Sequence, residues 1–435
     1  MEAQNQEVAA LVEKIAGLHA AISKLPSLSP SAEVDALFTD LVTACVPASP
    51  VDVAKLGPEA QAMREELIRL CSTGEGHLEA HYADMLAAFD NPLDHLARFP
   101  YYGNYMEAQN QEVAALVEKI AGLHAAISKL PSLSPSAEVD ALFTDLVTAC
   151  VPASPVDVAK LGPEAQAMRE ELIRLCSTGE GHLEAHYADM LAAFDNPLDH
   201  LARFPYYGNY VNLSKLEYDL LVRYVPGIAP SRVAFVGSGP LPFSSLVLAA
   251  HHLPDAVFDN YDRCGAANER ARRLFRGADE GLGARMAFHT ADVATLTGEL
   301  GAYDVVFLAA LVGMAAEEKA GVIAHLGAHM ADGAALVVRS AHGARGFLYP
   351  IVDLEDIRRG GFDVLAVYHP DDEVINSVIV ARKADPRRGG GLQNGLTGAR
   401  GAVPVVSPPC KCCKVEAAAG AFQKAEEFAA KRLPV

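Results

Sequence analysis

The sequence predicts an α/β protein, in which a doubly wound and mostly parallel sheet follows an all-helical segment. Two observations predict this fold class. From residue 211 onward, short apolar runs typical of buried strands alternate with helical patterns, which is the arrangement that produces a parallel sheet with right-handed crossovers. Before residue 211, the apolar residues recur at helical spacing.

The chain of 435 residues begins with a segment that is written twice. Residues 1–105 and 106–210 are identical at every position, and residues 211–435 are unique. Each copy holds 15 acidic and 6 basic side chains, so the two copies carry almost all of the formal net charge of −19. This acidity argues against nucleic acid or an anionic membrane surface as a partner.

Each copy predicts a small bundle of helices. In the first copy, one helix ends at Pro26, and a second carries an apolar stripe from Val34 to Cys45. A third helical region runs from Pro58 to about Phe89, with an interruption at Ser72-Thr-Gly74. The same pattern, including the interruption, recurs 105 residues later.

The sequence predicts a soluble, cytoplasmic protein without membrane insertion. Its first residues are acidic where a signal peptide would be basic, and no apolar run reaches the roughly 18 residues that a membrane span needs. Four of the eight cysteines stand at duplicated helical positions, which suits small buried side chains in a reducing compartment. These are Cys45, Cys71, Cys150 and Cys176.

The unique part of the chain begins with a linking helix from Leu213 to Tyr224. Six predicted strands follow it, with helical stretches between most of them. They are Val233–Val236, Ala256–Tyr261, Met286–His289, Asp304–Leu308, Ala334–Val338 and Ser377–Ala381. Ligands bind such sheets at the carboxyl ends of the strands.

Beyond residue 384 the composition becomes rich in Gly, Pro and Arg, and we expect a flexible tail. The tail cysteines Cys410, Cys412 and Cys413 are three thiols, fewer than the four ligands of a closed soft-metal site, so incidental cysteines are the favoured interpretation. The predicted domains are therefore a duplicate bundle (1–105), a bundle (106–210), a sheet domain (211–384) and the tail (385–435).

The first predicted strand runs directly into the turn Gly237-Ser238-Gly239-Pro240, after which a helix begins near Pro242. Glycines let the backbone turn sharply beneath a ligand, and the free amides of the helix favour an electronegative group. The third glycine of the dinucleotide fingerprint is missing, which argues against a pyrophosphate.

Two acidic residues follow the next two strands. Asp262, roughly 20 residues past the turn, is placed to accept hydrogen bonds from a ribose. Asp292 is placed to receive an adenine amino group. Either one alone is more often a loop residue or a helix cap, but with the glycine turn they indicate a pocket for S-adenosylmethionine more than for NAD.

Several motifs closely resemble plant nicotianamine synthases, over residues 106 to about 384. They are Phe235-Val-Gly-Ser-Gly-Pro-Leu-Pro242, Asn260-Tyr-Asp262, Phe288-His-Thr290, Val367-Tyr-His-Pro370 and Glu373-Val-Ile-Asn-Ser377. The sequence departs from the family at Arg263-Cys264, where a hydrophobic residue and a second aspartate are usual, and in its exact duplication.

The resemblance implies a Rossmann-like S-adenosylmethionine-dependent methyltransferase fold. It also implies an enzyme that condenses three molecules of S-adenosylmethionine by aminocarboxypropyl transfer and closes an azetidine ring. The products would be nicotianamine, a chelator of iron, zinc and copper, and methylthioadenosine. S-adenosylmethionine is then the substrate, and no metal is required.

Candidates for the proton transfer lie in the second copy. Glu180 and Glu184 are four residues apart and share a helix face, where a carboxylate could anchor the reacting ammonium and take its proton. The resemblance favours Glu184. The alternative is that both acids lie on a solvated helix face.

Three tyrosines follow within Phe204-Pro-Tyr-Tyr-Gly-Asn-Tyr210, and Tyr207 and Tyr210 are the leading choices for holding a sulfonium by cation–π attraction or for orienting the amine. The alternative is that these rings only pack the bundle onto the sheet domain. If the two copies exchange places, Glu79 and Tyr105 take the roles of Glu184 and Tyr210.

Two other patterns have a plainer interpretation. His182 and His186 are four apart, but a zinc site needs a third ligand, so we favour a surface or interdomain role. Tyr218-Asp-Leu-Leu221 resembles a sorting signal that plant members of the family carry for vesicle association, but the same residues continue the apolar side of a helix, and we favour packing as the explanation.

Two other functions remain open at this point. An ordinary small-molecule methyltransferase would use the same pocket with the methyl carbon aimed at the acceptor. A non-catalytic ligand-binding or metal-binding protein would use the same sheet with the tail cysteines as its functional part.

Overall fold

The computed structural model describes residues 2–28, 31–45, 61–67, 69–71, 100–152, 154, 156–276, 280–384 and 405–406. The chain divides into two compact units, Met1–Ala115 and Leu116–Val435. Glu79, Cys410, Cys412 and Cys413 lie outside the described residues, as does the side chain of Tyr105.

The first unit is helical. It contains α1 (Glu2–Ile22) and α2 (Ala32–Cys45), and residues 61–67 and 69–71 are also helical. Ile22, Leu41 and Leu67 form its buried cluster, with apolar side chains at helical spacing packed around them.

The second unit begins with helices. They are the end of α3 (Pro100–Ile127), α4 (Ala137–Cys150), α5 (Pro163–Leu191) and α6 (Tyr207–Tyr224). Ser136 caps α4 by accepting a hydrogen bond from the backbone N–H of Val139 at 3.3 Å. Pro163 stands at the first position of α5, where a missing N–H costs nothing.

The predicted interruption of the third helical region is wrong in the second copy, because α5 continues through residues 177–179. Thr178 remains helical while its hydroxyl donates to the carbonyl of Arg174 at 2.9 Å. Gly179 allows α4 to approach closely, since a Cβ on it would lie 2.8 Å from Cζ of Phe143. This close packing offsets the weak helix preference of glycine.

The strands that follow form one sheet in the order β3-β2-β1-β4-β5-β7-β6-β8. Their bounds are β1 Arg232–Val236, β2 Val257–Asp262, β3 Met286–Thr290, β4 Val305–Leu308, β5 Ala335–Ser340, β6 Phe362–Tyr368, β7 Ser377–Lys383 and β8 Val405–Val406. The five strands from β1 to β5 are parallel to one another, β1 lies between β2 and β4, and β7 is antiparallel to β5. This confirms the predicted mostly parallel sheet after a helical segment.

Helices cover both faces of the sheet. The α-helices between the strands are α7 (Phe243–Val247), α8 (Gly265–Leu274), α9 (Glu280–Gly283), α10 (Ala316–His329) and α11 (Leu354–Arg359). Alternate residues of β1 enter two different clusters: Val233 and Phe235 join one with α6 and α7, whereas Ala234 and Val236 join one with α10. A sheet with both faces buried needs strands that are apolar throughout.

Two strands, β6 and β8, were missed in the sequence. β8 has two residues, too few to show a pattern, and pairs with β6. β6 pairs with β7 as an antiparallel hairpin, and its register shifts between Val364 and Ala366. Such a bulge breaks the period of two that identifies a half-buried strand, which explains the miss.

Within the described part of the chain, no helix combines the length and the apolar character that crossing a bilayer requires.

Candidate functional site

The turn after β1 needs both of its glycines. Gly237 and Gly239 have φ angles of +82° and +65°, which side chains disfavour. The N–H of Gly237 donates to the carbonyl of Tyr261 at 2.8 Å, so the turn is tied to the end of β2. A Cβ on Gly237 would lie 2.3 Å from Cγ2 of Val312, in the loop after β4.

The carboxylate of Asp262 fastens this turn to the start of α8. One oxygen accepts from the N–H of Gly239 at 3.0 Å, and the other accepts from the N–H of Cys264 at 2.8 Å. Each oxygen keeps a further lone pair for a ligand. Asp292 is exposed and caps a single helical turn by accepting from the N–H of Ala294 at 2.9 Å.

A cavity of about 1120 Å³ lies between the helices of the second unit and the carboxyl ends of its strands. It brings together nearly all of the residues predicted from the sequence. Those that line it are Gly237, Ser238, Gly239, Pro240, Asp262, Asp292, Glu180, Glu184 and Tyr210.

Tyr207 is the predicted site residue that does not line the cavity. It is half-buried, and its ring packs edge-on against Phe243 with 5.2 Å between the ring centroids. Phe204, Tyr206 and Tyr210 are its aromatic neighbours in the same cluster, and these three do line the cavity.

The two glutamates of α5 meet the hydroxyl of Tyr210 from α6. Oη of Tyr210 lies 2.8 Å from Oε1 of Glu184 and 3.1 Å from Oε1 of Glu180. Glu184 is 8% exposed, and its Oε2 lies 2.7 Å from where a Cβ on Gly239 would be. A buried carboxylate of the helical bundle therefore touches the glycine turn of the sheet.

Burial in the cavity wall raises the pKa of both carboxyl groups. For Glu180, hydrogen bonds from Tyr210 and Tyr349 oppose this rise in pKa. For Glu184, the charge of Glu180 adds to the effect of burial, and its pKa lies well above the usual range. Burial also raises the pKa of Tyr210 well above its usual range, so its hydroxyl keeps its proton. A carboxylate with a raised pKa is a stronger proton acceptor.

Three side chains that make polar contacts in and beside the site were missed in the sequence. Oη of Tyr349 donates to Oε2 of Glu180 at 3.2 Å, and nothing in the local pattern around Tyr349 indicates this. Arg339, at the end of β5, forms two parallel hydrogen bonds with Glu217 of α6, at 2.7 and 2.9 Å. A signal for this pair was present, because an arginine ends an apolar strand and a glutamate lies on the apolar face of a helix.

Two buried polar atoms in the cavity wall fit a polar ligand. Oγ of Ser238 and Nδ2 of Asn376 have no hydrogen-bond partner among the described residues, and both side chains line the cavity. An unpaired buried donor is costly, so a ligand is a natural partner for each. Ser238 stands in the glycine turn, and Asn376 immediately precedes the hairpin strand β7.

The described residues hold no cluster of three or more metal-ligating side chains. Nδ1 of His182 is hydrogen-bonded with Oγ of Ser134 at 3.1 Å, and His186 packs edge-on against Tyr187.

Comparisons with known proteins identify the family. A family model described as nicotianamine synthase protein matches residues 3–112 and 108–387. Nicotianamine synthase 2 of Oryza sativa subsp. japonica is 97% identical over 330 residues, which are 76% of this chain and 100% of the relative. Nicotianamine synthase 1 of Hordeum vulgare is 76% identical over 329 residues, which are 75% of this chain and 99% of the relative.

Among solved structures, the crystal structure of a mutant of MtNAS in complex with S-adenosylmethionine is similar in fold. Its TM-score is 0.50 at 23% sequence identity, and the match covers 62% of this chain and 98% of that one. The family model and the sequence relatives lead to one conclusion: the chain belongs to the nicotianamine synthase family.

Proposed function

We propose that this protein condenses three molecules of S-adenosylmethionine into nicotianamine and releases methylthioadenosine at each step. Family membership supports the reaction, and one contact in the molecule carries the proposal. Oε2 of the buried Glu184 lies against Gly239, so a proton acceptor stands at the turn that would hold the donor. An ordinary binding domain has no need of a buried carboxylate there.

The sheet domain would hold the nucleoside part of the donor. We assign the turn Gly237-Ser238-Gly239-Pro240 to the amino acid part of the substrate, Asp262 to the ribose and Asp292 to the adenine. Support for the ribose assignment comes from the free lone pairs of the Asp262 carboxylate, which lines the cavity beside the turn.

Each transfer needs a neutral amine, because an ammonium has no lone pair for attack. Glu184 would take one proton from the α-ammonium of the acceptor, and Tyr210 would orient the nitrogen. The amine then forms a bond to Cγ of the donor, and the Cγ–S bond breaks. Its electron pair stays on sulfur, which leaves as the neutral thioether of methylthioadenosine. Three such steps, one of them intramolecular, account for the two chain bonds and the ring.

Tyr207 remains a predicted site residue, with a role in supporting the neighbouring rings through Phe243. The positions of Tyr206 and Tyr210 beside the glutamates make them the more direct candidates for meeting a sulfonium.

The product of the purified protein tests the proposed reaction. The protein is incubated with S-adenosylmethionine alone, and the products are identified by mass spectrometry. We expect methylthioadenosine and nicotianamine in a ratio of about 3 to 1, as the proposed stoichiometry requires. Formation of S-adenosylhomocysteine would instead identify a methyltransferase, and unchanged S-adenosylmethionine would indicate a non-catalytic binding protein.

We further propose that residues 106–210 and the sheet domain (211–384) form the working enzyme, and that residues 1–105 are a redundant tandem copy. The side chains in the cavity support this, because Glu184 and Tyr210 belong to the second copy. The rice relative also matches over its full length with 330 residues, which is the length of this chain without one copy. Deleting residues 1–105 should leave the turnover unchanged, and a loss of turnover would refute the proposal.

For Tyr218 we propose a packing role and a cytoplasmic protein, in preference to a sorting signal for vesicles. Its half-buried ring stacks on His252 with 4.9 Å between centroids, and its neighbours Leu220 and Leu221 are buried. Tyr218→Ala should lower the thermal unfolding temperature. A change in cell distribution at unchanged stability would favour the sorting signal.

A further inference from the structure

Tyr349 belongs to a chain of hydrogen bonds that ends at the proposed proton acceptor. Its hydroxyl donates to Oε2 of Glu180 at 3.2 Å, and Oε1 of the same carboxyl contacts the hydroxyl of Tyr210 at 3.1 Å. That hydroxyl also contacts Oε1 of Glu184 at 2.8 Å. Four side chains from three parts of the chain therefore share one line of three contacts.

The number of protons available to this chain of hydrogen bonds determines the protonation state of its two carboxyl groups. Tyr349 and Tyr210 supply one hydroxyl proton each, and a hydroxyl donates fully to one acceptor at a time. The third contact is a full hydrogen bond only when a carboxyl group supplies a proton. The arrangement therefore fits a pair of carboxyl groups that holds one proton between them.

The surroundings of the two carboxyl groups decide which one holds the proton. Glu180 can accept from two hydroxyls, which favours its charged form. Glu184 contacts one hydroxyl, is 8% exposed, and lies near the carboxylate of Asp262. The proton therefore belongs on Glu184 in the ligand-free protein.

We propose that Tyr349 is a positioning residue that acts through Glu180. Its hydroxyl holds Glu180 as the charged member of the pair, and this charge makes Glu184 the stronger proton acceptor. The inference rests on the proposed function, because it explains how Glu184 gains the basicity that proton removal from an ammonium needs. A cationic substrate that enters the cavity then draws the proton off Glu184 by favouring its charged form.

Other ionisable groups face this pair and are unchanged by the test variants. Arg339 lies near both carboxyl groups, but its guanidinium is already paired with Glu217. The groups that face the pair or Tyr349 are Tyr210 from α6, Arg339 from β5, Asp262 from β2 and Cys176 from α5.

The pH dependence of kcat/KM for methylthioadenosine formation tests the proposal. In Tyr349→Phe, Glu180 takes a larger share of the proton, so Glu184 becomes a weaker base. The acidic limb of the pH profile of kcat/KM should move to lower pH by about one unit, and kcat should fall about tenfold. Glu180→Gln should move the limb in the same direction. Adding Tyr349→Phe to Glu180→Gln should cause no further shift, since Tyr349 acts through Glu180.

Tyr303→Phe is the matched control. It removes a buried tyrosine hydroxyl that pairs with Tyr261, outside the line of contacts, and should lower stability without moving the limb. A limb that stays in place in Tyr349→Phe, or a further shift in the double variant, would overturn the inference. If Tyr349→Phe does not fold, an unmoved limb in Glu180→Gln overturns it instead.

Infrared spectroscopy of the ligand-free protein gives a readout without turnover. At neutral pH we expect the carbonyl band of a protonated carboxyl group, which Glu184→Gln removes. In Tyr349→Phe and Glu180→Gln, the Glu184 carboxyl group should lose its proton at lower pH. A wild-type protein that forms no methylthioadenosine would refute the proposed function, whereas unshifted titrations with normal turnover would refute only this inference.

Discussion

Replacing Asn376 with leucine should weaken substrate binding without weakening the fold. Asn376 is 7% exposed, and its Nδ2 has no partner among the described residues although it stands in the cavity wall. The segment before it is fixed, because the guanidinium of Arg345 donates to the carbonyls of Pro370 and Val374 at 2.8 and 2.6 Å. The amide is therefore held ready for a ligand.

The expected size follows from the cost of an unpaired buried donor, which is about 1–3 kcal/mol. Leucine has the same branching as asparagine but carries no donor. Asn376→Leu should therefore leave the free energy of unfolding unchanged or raise it by about 1 kcal/mol. The loss of one hydrogen bond to the substrate should weaken S-adenosylmethionine binding about tenfold.

Two measurements on each protein test this. Urea unfolding without ligand gives the stability, and titration calorimetry gives the affinity for S-adenosylmethionine. Asn268→Leu is the matched control, because its buried amide donates to the carbonyls of Asp262 and His289 and to the hydroxyl of Thr290. It should lower the free energy of unfolding by about 2 kcal/mol. Asn376→Leu would contradict the reasoning if it destabilised the protein similarly and left the affinity unchanged.

Three further predictions concern the support of the site. Gly239→Ala should lower the free energy of unfolding by about 1–2 kcal/mol, the strain of a side chain at a φ of +65°, and should also weaken S-adenosylmethionine binding because its Cβ would meet Glu184. Gly227 has a φ of +77° with open space around it, so Gly227→Ala measures the strain alone in urea unfolding. Arg339→Met should cost about 3–5 kcal/mol in urea unfolding because Glu217 loses its partner, and Glu217→Leu in addition should recover most of it; an unaffected single variant would refute this. Burial lowers the pKa of His369 to about 4, so the unfolded chain binds a proton at a higher pH than the folded protein does. The free energy of unfolding should therefore fall by about 3 kcal/mol from pH 6.5 to pH 4. His369→Asn should flatten this pH dependence, and a variant with the same dependence as the wild type would contradict the prediction.

The sequence predicted the sheet and the residues that line the cavity at the carboxyl ends of its strands, because both depend on local patterns. Apolar runs identified β1 to β5 and β7, and the turn with Asp262 follows from the carboxyl ends of neighbouring strands. β6 was not predicted because its bulge removes the alternation of apolar and polar residues. An interruption of α5 was wrongly predicted at Gly179, because only tertiary packing against Phe143 explains a glycine within this helix.

The reactive side of the cavity depends on contacts between distant segments, and there the sequence was informative only in part. The spacing of Glu180 and Glu184 identified them, but one of the two hydroxyl partners of Glu180 is Tyr349, which lies 169 residues away. Asn376 lies within a motif that identified the family, yet only the structure shows that its amide lacks a partner.

In the proposed reaction Glu184 accepts the proton of the attacking amine, and Glu184→Gln tests this role most directly. Glutamine keeps the shape of the side chain and cannot take the proton. The affinity for S-adenosylmethionine should stay within about twofold, while kcat for methylthioadenosine formation should fall by a factor of about 10²–10⁴. Glu170→Gln, an exposed substitution on the same helix, should change neither quantity. A variant at Glu184 that binds the substrate and forms methylthioadenosine at the wild-type rate would contradict the claim.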